Sequence, residues 1–466
     1  MVSMWLPPIL VKRLLWLAFL LAVPVAGMAH VSEMGLVLLL PTEIYMSAGV
    51  WAVGLTVAAL ALLPGQVTEG LFRSFSLIAL RLRPAVLMST LSAIVLLALI
   101  WAGMTGARDP LSNPLPLTIW TIWWIGLVLA QVVFGNIWHW LNPWTGPHRL
   151  LAGDGPPPLA LPAALGQWPG SILLILFTMF ALADPAPDDP ARLALITAAY
   201  WAISLAGVML FGPAWLTQCE FVTILMRLMA SLAPFGISEG RLRCGMPGWR
   251  LLAAPISLSA GSFALIFLAV GSFDGLNETF WWLGFIDVNP LEFPGRSAII
   301  AETVGGLIGV LILLFIVFAG CVALGSALAR GGVRFSRAFA ALAPTVLPIA
   351  VAYHFAHYLT AAMVNGQYAL VAVTDPLGTG ADWLGLGAFY VSTGFLNTSD
   401  SVEAIFQAQA GSVVAGHVLS VILAHAVAMR LHRDRWRATV SQIPLALFML
   451  AYTFIGLWLL AAPKGA

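Results

Sequence analysis

Long apolar runs recur along this chain, and they limit what it can fold into more than any other feature. A helix needs about 20 apolar residues to cross the hydrocarbon core of a bilayer. The segments SAIVLLALIWAGM (92–104) and VGGLIGVLILLFIVFAGCVALG (304–325) belong to two such runs. The whole chain is 61% hydrophobic and only 9% charged. A water-soluble fold of that composition would lack polar residues for its surface, so we predict an all-α, polytopic membrane bundle.

The charge and the cysteine content exclude two other classes of protein. The net charge is +1, which gives no bulk attraction to nucleic acid. The three cysteines, Cys219, Cys244 and Cys321, are far apart and have neither the spacing of a metal motif nor that of a disulfide framework. We therefore expect the partners to be the lipid bilayer and a small-molecule substrate.

The N-terminus has the pattern of a secretory signal peptide. Lys12 and Arg13 precede LLWLAFLLAVPVAGMA, a short apolar run that ends in small residues. We predict that residues 1–29 are a signal peptide cleaved near Ala29, and an uncleaved first helix is the alternative. Residues 30–466 then form one membrane-embedded helical domain.

Hydropathy predicts about ten transmembrane helices after this leader, and the loop charges alternate with them. Arginines cluster in every second loop, while the intervening loops, such as ADPAPDDPA (183–191), are poor in arginine. Because basic loops stay in the cytoplasm, we predict a multi-pass protein of the bacterial inner membrane with both mature termini on the periplasmic side. The predicted spans are 43–64, 84–104, 115–135, 169–185, 191–212, 252–273, 299–327, 345–366, 408–430 and 442–461.

Two further segments are too polar or too short to span. Residues 136–151 are rich in tryptophan and end in basic residues, and residues 215–235 are amphipathic. Both patterns are typical of helices that lie in the membrane interface. We predict that both segments are interfacial.

The stretch AYHFAHYLTAAMVNGQY (352–368) places polar residues inside an apolar span. An ionisable residue costs about 2.5 kcal/mol or more at the centre of a bilayer, so such residues mark functional sites. His354 and His357 are three residues apart and share one helix face. The next predicted span carries His417 and His425.

Helix geometry predicts that two of these histidines meet. The two spans are consecutive and antiparallel, and a rise of 1.5 Å per residue puts His357 and His417 at similar depths below the outer surface. We therefore predict His357, His417 and Asp274 as the catalytic residues, with His354 and His425 as further metal ligands. Four other residues near the outer end could complete the site: Glu278, Glu302, Tyr358 and Gln367.

Imidazole and carboxylate groups are suitable ligands for a divalent metal such as Zn, Cu, Fe or Mn. A bound metal would lower the pKa of a water ligand and create a nucleophile. Two alternatives stay open at this point. Each histidine could instead donate a hydrogen bond to a backbone carbonyl or hydroxyl group of a neighbouring helix, or the polar residues could relay protons or substrate without a metal.

Several short motifs are distributed along the mature chain. They are Asn142-Pro143-Trp144, Ser272-Phe273-Asp274-Gly275, PIAVAYHFAHY (348–358), Gly366-Gln367, Asp375-Pro376-Leu377-Gly378, Gly416-His417, Ala424-His425 and Gly456-Leu457-Trp458-Leu459-Leu460. These motifs resemble those of a bacterial membrane-protein family known as fenitrothion hydrolases. The similarity runs over most of the mature chain, and the family helix carries the pair found here as His357-Tyr358, whereas His354 is an addition. The resemblance implies ten helices, a site around His357, His417, Asp274, Gln367 and His425, and hydrolysis of a lipophilic phosphotriester-like compound.

Three functions are compatible with these residues. The first is a membrane-embedded hydrolase with a metal site that is open to the periplasm. The second is a transporter for a metal ion or small solute that uses the same polar residues as its pathway. The third is a non-catalytic factor that delivers a metal or assembles a partner complex.

Overall fold

The computed structural model describes residues 37, 40–62, 65–79, 86–253, 255–330, 332–386, 391–432 and 434–464. The predicted signal peptide, residues 1–29, lies outside the described residues. Within them the chain is helical almost throughout, which confirms the predicted all-α class. The helices are α1 (Thr42–Leu62), α2 (Gly65–Leu71), α3 (Val86–Thr105), α4 (Pro114–Phe134), α5 (Trp138–Leu141), α6 (Thr145–Ala152), α7 (Trp168–Ala183), α8 (Pro190–Phe211), α9 (Ala214–Gln218), α10 (Phe221–Ser231), α11 (Leu258–Asn277), α12 (Phe280–Phe285), α13 (Ile300–Ala329), α14 (Phe335–Leu342), α15 (Leu347–Thr374), α16 (Ser399–Leu431) and α17 (Arg435–Ala461).

Nine helical segments in the described residues are long and apolar enough to cross a bilayer. They are α1, α3, α4, α8, α11, α13, α16, α17 and the continuous segment Phe335–Thr374, which joins α14 to α15. The remaining predicted span, 169–185, is the shorter apolar helix α7 of 16 residues, or about 24 Å. Large apolar side chains stay exposed on the outer helices, for example Ile312 and Ile316 on α13. Such a surface is typical of a bundle that is surrounded by lipid.

Two segments form the centre of the bundle. The apolar part of α11 is 83% buried and that of Phe335–Thr374 is 89% buried, against 61% or less for the other long helices. Helix α11 begins at the N-cap Ser257, whose hydroxyl accepts a hydrogen bond from the backbone N–H of Ala260. From Phe263 to Val270 it is apolar on all sides, as is typical of an enclosed helix.

A small antiparallel sheet joins two loops at one end of the bundle. Its strands are β1 (Phe75–Ala79), β2 (Phe235–Ser238) and β3 (Arg241–Cys244), in the order β1-β3-β2. The hydropathy pattern gave no sign of it. The sheet brings together two of the arginine-bearing loops, as the predicted alternation of loop charges requires. We call this the arginine-rich end of the bundle.

Helices α15 and α16 are longer than predicted. The predicted spans ended at 366 and began at 408, whereas α15 continues to Thr374 and α16 begins at Ser399. Hydropathy marks where apolar residues stop, but a helix can continue beyond the bilayer because its backbone hydrogen bonds do not depend on its side chains. The two helices therefore form an antiparallel pair that extends beyond the two predicted spans.

The segment 215–235 is enclosed by protein. Helix α10 is buried along most of its length, and the ring of Phe221 packs 5.2 Å from that of Phe177 in the middle of α7. At its N-cap, the buried Glu220 accepts hydrogen bonds from the backbone N–H groups of Val222 and Thr223 and from the hydroxyl of Tyr200. A buried carboxylate needs such donors. The interfacial depth of this segment, and that of residues 136–151, stays a prediction.

Gly325 provides a test of the packing between α13 and α17. A Cβ atom at this position would collide with the backbone carbonyl of Ser441 in α17. Because overpacking a tight contact costs roughly 1–3 kcal/mol, we expect Gly325→Ala to lower the melting temperature in detergent by several degrees. Gly320→Ala on the same helix is the matched control, since a Cβ at Gly320 meets no atom within 4 Å. Equal melting temperatures for the two variants would contradict this packing.

Candidate functional site

Three metal-ligand side chains converge near the end of the bundle opposite the arginine-rich end. Asp274, Glu278 and His357 each offer one ligand atom, and these atoms lie within 4.8 Å of one another. Asp274 and Glu278 are four residues apart at the C-terminal end of α11 and so share one face. His357 comes from the middle of α15. This is the one such group of three or more residues within the described ranges.

The centre of this cluster is the carboxylate of Asp274. The Nε2 atom of His357 lies 3.2 Å from Oδ2 of Asp274, and their side chains are only 6% and 12% exposed. The hydroxyl of Tyr358 donates a hydrogen bond to the same oxygen. A buried carboxylate is costly without such partners, and here two side chains of α15 supply them.

Lys464 completes the cluster on its exposed side. Its Nζ lies 3.4 Å from Oε2 of Glu278. The end of the chain is fixed against the start of α12, because the backbone N–H of Phe280 donates to the carbonyl of Pro463 at 2.9 Å and Thr279 pairs with Lys464. Glu278 is 45% exposed, so the cluster opens to solvent there.

Glycine allows the close approach of α11 and α15 at this point. Any side chain on Gly275 would collide with the hydroxyl of Tyr353. The ring of Tyr353 in turn stacks on that of His357, with centroids 5.9 Å apart and an interplanar angle of 13°. The Nδ1 atom of His357 is buried and has no hydrogen-bond partner among the described residues. Packing between two tyrosine rings therefore orients this imidazole.

The residues of the cluster fit a divalent metal. Two ligands of a tetrahedral ion at bond lengths near 2.0–2.1 Å are about 3.3 Å apart, which is close to the 3.2 Å between His357 and Asp274. One imidazole and two carboxylates make three protein ligands. Catalytic metal sites typically have three, which leaves a position for water or substrate.

His417 does not join this cluster, and the prediction that it faces His357 at one depth is wrong. The side chain of Gln409 donates to the carbonyl of Ala356, and that of Ser412 reaches the carbonyl of Ala352. In this register His357 lies at the level of Gln409 of α16. His417 is two turns further along α16 and therefore lies deeper in the bundle. Depth estimated from hydropathy was inaccurate because both helices continue beyond their apolar segments.

His417 belongs to a second polar cluster, which touches the first one through Tyr353. Its Nδ1 lies 2.8 Å from the carbonyl oxygen of Val413, one turn earlier in α16. It borders an enclosed cavity of about 10 Å³ with Ser272, Tyr353 and Tyr452. The hydroxyls of Ser272 and Tyr452 are hydrogen-bonded to each other. His417 therefore bonds to a backbone carbonyl, but one of its own helix and not of a neighbouring helix as the first alternative had it.

The other two predicted metal ligands also have structural partners. The Nε2 atom of His354 lies 2.9 Å from the carbonyl oxygen of Trp124 in α4, beside the Trp124 ring. His425 pairs with Gln442 of α17 at 3.1 Å. Of the four histidines predicted as ligands, only His357 lies in the cluster.

Gln367 and Glu302 lie outside the cluster. The side chain of Gln367 makes two hydrogen bonds of 2.9 Å with the backbone of Ser392 and so fastens the loop that follows α15. Glu302 is exposed in the first turn of α13. Both residues were predicted as part of the site because the sequence places them near the outer end of their spans. Depth alone does not determine which face of a helix a residue occupies.

Sequence reasoning missed Lys464 and Tyr353. For Lys464 a signal was available in its rarity, because the chain contains only two lysines, Lys12 and Lys464. A second signal was available for Tyr353, which precedes His357 by four residues and so shares its helix face. Neither signal identifies α11 as the partner helix.

Comparisons of this chain with protein-family models, with curated proteins and with solved structures found no match. The fold and the cluster are therefore interpreted from the chain's own residues.

Asp274 provides a test of the cluster's contribution to stability. In chelator-treated protein, we expect Asp274→Asn to destabilise the fold by roughly 1–3 kcal/mol, because His357 and Tyr358 lose a charged, buried partner. Glu278→Gln is the matched change on the exposed side and should cost no more than about 1 kcal/mol. Unfolding in detergent measures both variants. A larger loss for Glu278→Gln would show that Asp274 is not the centre of the cluster.

Proposed function

We propose that this protein is a membrane-embedded hydrolase that depends on a divalent metal held by Asp274, Glu278 and His357. The observation that carries the proposal is the convergence of these three ligand atoms within 4.8 Å, with the opening to solvent on the side of the half-exposed Glu278. A set of one imidazole and two carboxylates is a suitable ligand set for Zn²⁺, Cu²⁺, Fe²⁺ or Mn²⁺. The resemblance to fenitrothion hydrolases motivates the choice of hydrolysis.

A metal ion at this position would polarise a phosphoryl oxygen and make a water molecule more acidic. The residues of the chain have separate roles around it. Tyr358 holds the Asp274 carboxylate in place through its hydroxyl hydrogen bond. Lys464, beside Glu278 on the exposed side, provides a positive charge toward the leaving group of an ester. In hydrolysis one ester bond to phosphorus is replaced by a bond to the water oxygen, and the leaving alcohol or phenol receives a proton.

The surroundings of the opening favour a lipophilic substrate. The short helix α12 follows Glu278 directly and exposes Trp281 and Phe285, which are 43% and 66% exposed. Aromatic residues of this kind are enriched at the level of the lipid headgroups. An ester dissolved in the bilayer could therefore reach the cluster from the interface. With the orientation predicted from the loop charges, this opening lies on the periplasmic side of the inner membrane.

A transporter that uses the same residues has weaker support. A transport pathway needs polar groups that continue across the membrane. Below Asp274, the buried residues of α11 from Phe263 to Val270 are apolar. His354 is bonded to the Trp124 carbonyl rather than free to face the cluster.

Metal content is the first test of this proposal. We expect purified protein to contain about one equivalent of a divalent transition metal per chain, and His357→Gln and Asp274→Asn to reduce it to background. His417→Gln is the matched control, because His417 lies in the second cluster and should leave the metal content unchanged. Elemental analysis of detergent-purified protein measures all four samples. Loss of the metal from the His417 variant, or its absence from the parent protein, would contradict the proposed site.

Hydrolysis itself is the second test. With a phosphotriester that releases a chromogenic phenol, we expect His357→Gln to lower kcat/KM by more than about 100-fold, since even the partners of metal ligands contribute 10–100-fold. Chelation should abolish turnover, and added metal should restore it. Metal-ion uptake into reconstituted vesicles distinguishes the hydrolase from the alternatives. Uptake that depends on His357 would contradict the hydrolase and indicate a transporter. Bound metal with neither uptake nor turnover would indicate a delivery or assembly factor.

A further inference from the structure

A basic pocket lies at the arginine-rich end, far from the metal cluster. It is a cavity of about 820 Å³ between the start of α14, the end of α16 and the start of α17. Its volume is within the range of sites for small organic ligands, about 300–1,000 Å³. The polar side chains that line it are Arg334, Ser336, Arg337, His432, Asp434 and Arg437.

The charge of this pocket is not neutralised by the protein. Arg334, Arg337 and Arg437 make no ion pair with any carboxylate in the described part of the chain. Asp434 is the one described acidic residue of the lining, and its carboxylate caps α17 by accepting the backbone N–H of Arg437. The lining therefore has an excess of two positive charges, which favours an anion.

Backbone groups add to this preference. Helix α14 begins at the pocket with Arg334 as its N-cap, and no side chain accepts a hydrogen bond from its first turn. Helix α17 also begins there. The N-terminus of a helix carries partial positive charge and free N–H donors, which suit phosphate oxygens. The start of α17 is already capped by Asp434, so the uncapped start of α14 and the three arginines are the groups of this lining that remain for an anion.

His432 provides a neutral donor in the lining. The side chain is 7% exposed. Burial, and to a smaller extent the charge of Arg437, lower the pKa of His432 from its usual value near 6.5. The ring is therefore neutral at pH 7, where it can still donate one N–H to an oxygen acceptor.

The rim of the pocket indicates a position at the membrane surface. Trp436 and Phe335 flank the arginines and are 73% and 44% exposed. Exposed aromatic residues next to arginines are typical of the headgroup layer. Leu258, Val333 and Leu431 form an apolar part of the lining. Basic pockets between transmembrane helices, with this mixture of residues, bind the phosphates of anionic lipid headgroups.

We propose that this pocket binds a phosphate group, carried either by the headgroup of an anionic phospholipid or by a soluble phosphate ester. The guanidinium groups of Arg334, Arg337 and Arg437 contact its oxygens, and the uncapped first turn of α14 supplies N–H donors. The apolar rim and the exposed aromatics favour the lipid. The site is independent of the proposed hydrolase, because it shares no residue with the metal cluster.

Lipid retention tests the proposal on the full chain. Native mass spectrometry would compare the protein in mixed micelles with phosphatidylglycerol, cardiolipin or phosphatidylcholine. We expect the two anionic lipids to be retained, and the variant Arg334→Gln/Arg337→Gln/Arg437→Gln to bind them about 100-fold more weakly, at about fivefold for each arginine. The control Arg73→Gln/Arg149→Gln/Arg241→Gln removes the same charge from the same end but outside the pocket, and should retain them.

Other outcomes distinguish a lipid phosphate from a soluble phosphate and show whether the site exists. If inorganic phosphate or glycerol phosphate displaces the lipid at low millimolar concentration and stabilises the parent protein without lipid, the natural ligand is a soluble phosphate. Equal loss of lipid in the pocket variant and the control would mean a general charge effect and would overturn the site. Should the triple variant fail to fold, Arg337→Gln alone against Arg241→Gln alone gives the same comparison, with a fivefold difference expected.

Discussion

The structure depends on a single constraint: a carboxylate enclosed by apolar helices must have its hydrogen-bond partners within the protein. Asp274 ends an otherwise apolar stretch of α11, the most enclosed single helix of the bundle. Unpaired, its charge would be strongly destabilising in that environment. His357 and Tyr358 are adjacent in sequence and both reach the same carboxylate oxygen. Their pairing with Asp274 joins α15 to α11 at the site.

The same constraint explains why histidines of one kind have different roles. His354, His417 and His425 are each bonded to a group that any helical membrane protein offers, a backbone carbonyl or an amide side chain. These bonds make burial of the ring tolerable, and those of His354 and His425 also join neighbouring helices. His357 differs because its nearest partner is a carboxylate, and a second carboxylate lies within reach. Whether one of these histidines could hold a metal therefore depends on the groups that surround it and not on the residue type.

The two ends of the bundle have opposite chemistry. Carboxylates, an imidazole and one lysine gather at one end, where α11 and the end of the chain meet. Arginines that make no ion pair in the described part of the chain gather at the other end, beside two helix starts. The proposed metal site and the proposed phosphate site therefore lie at opposite ends of the bundle. The central helices α11 and α15 hold the first site, whereas the shorter α14 and the ends of α16 and α17 form the second.

The sequence by itself determined the all-α membrane class and the position of almost every long helix, because the length and spacing of apolar runs are local properties that the bilayer thickness imposes. It also identified Asp274, Glu278, His357 and Tyr358 as candidates, because ionisable residues in apolar spans are rare and costly. Only the tertiary structure decided which of these candidates meet. Rotation and register of packed helices depend on contacts such as that of Gly275 with Tyr353, between residues far apart in the chain. For the same reason His417 could not be separated from His357 beforehand, and Lys464, near the end of the chain, joined the site only once the bundle was assembled.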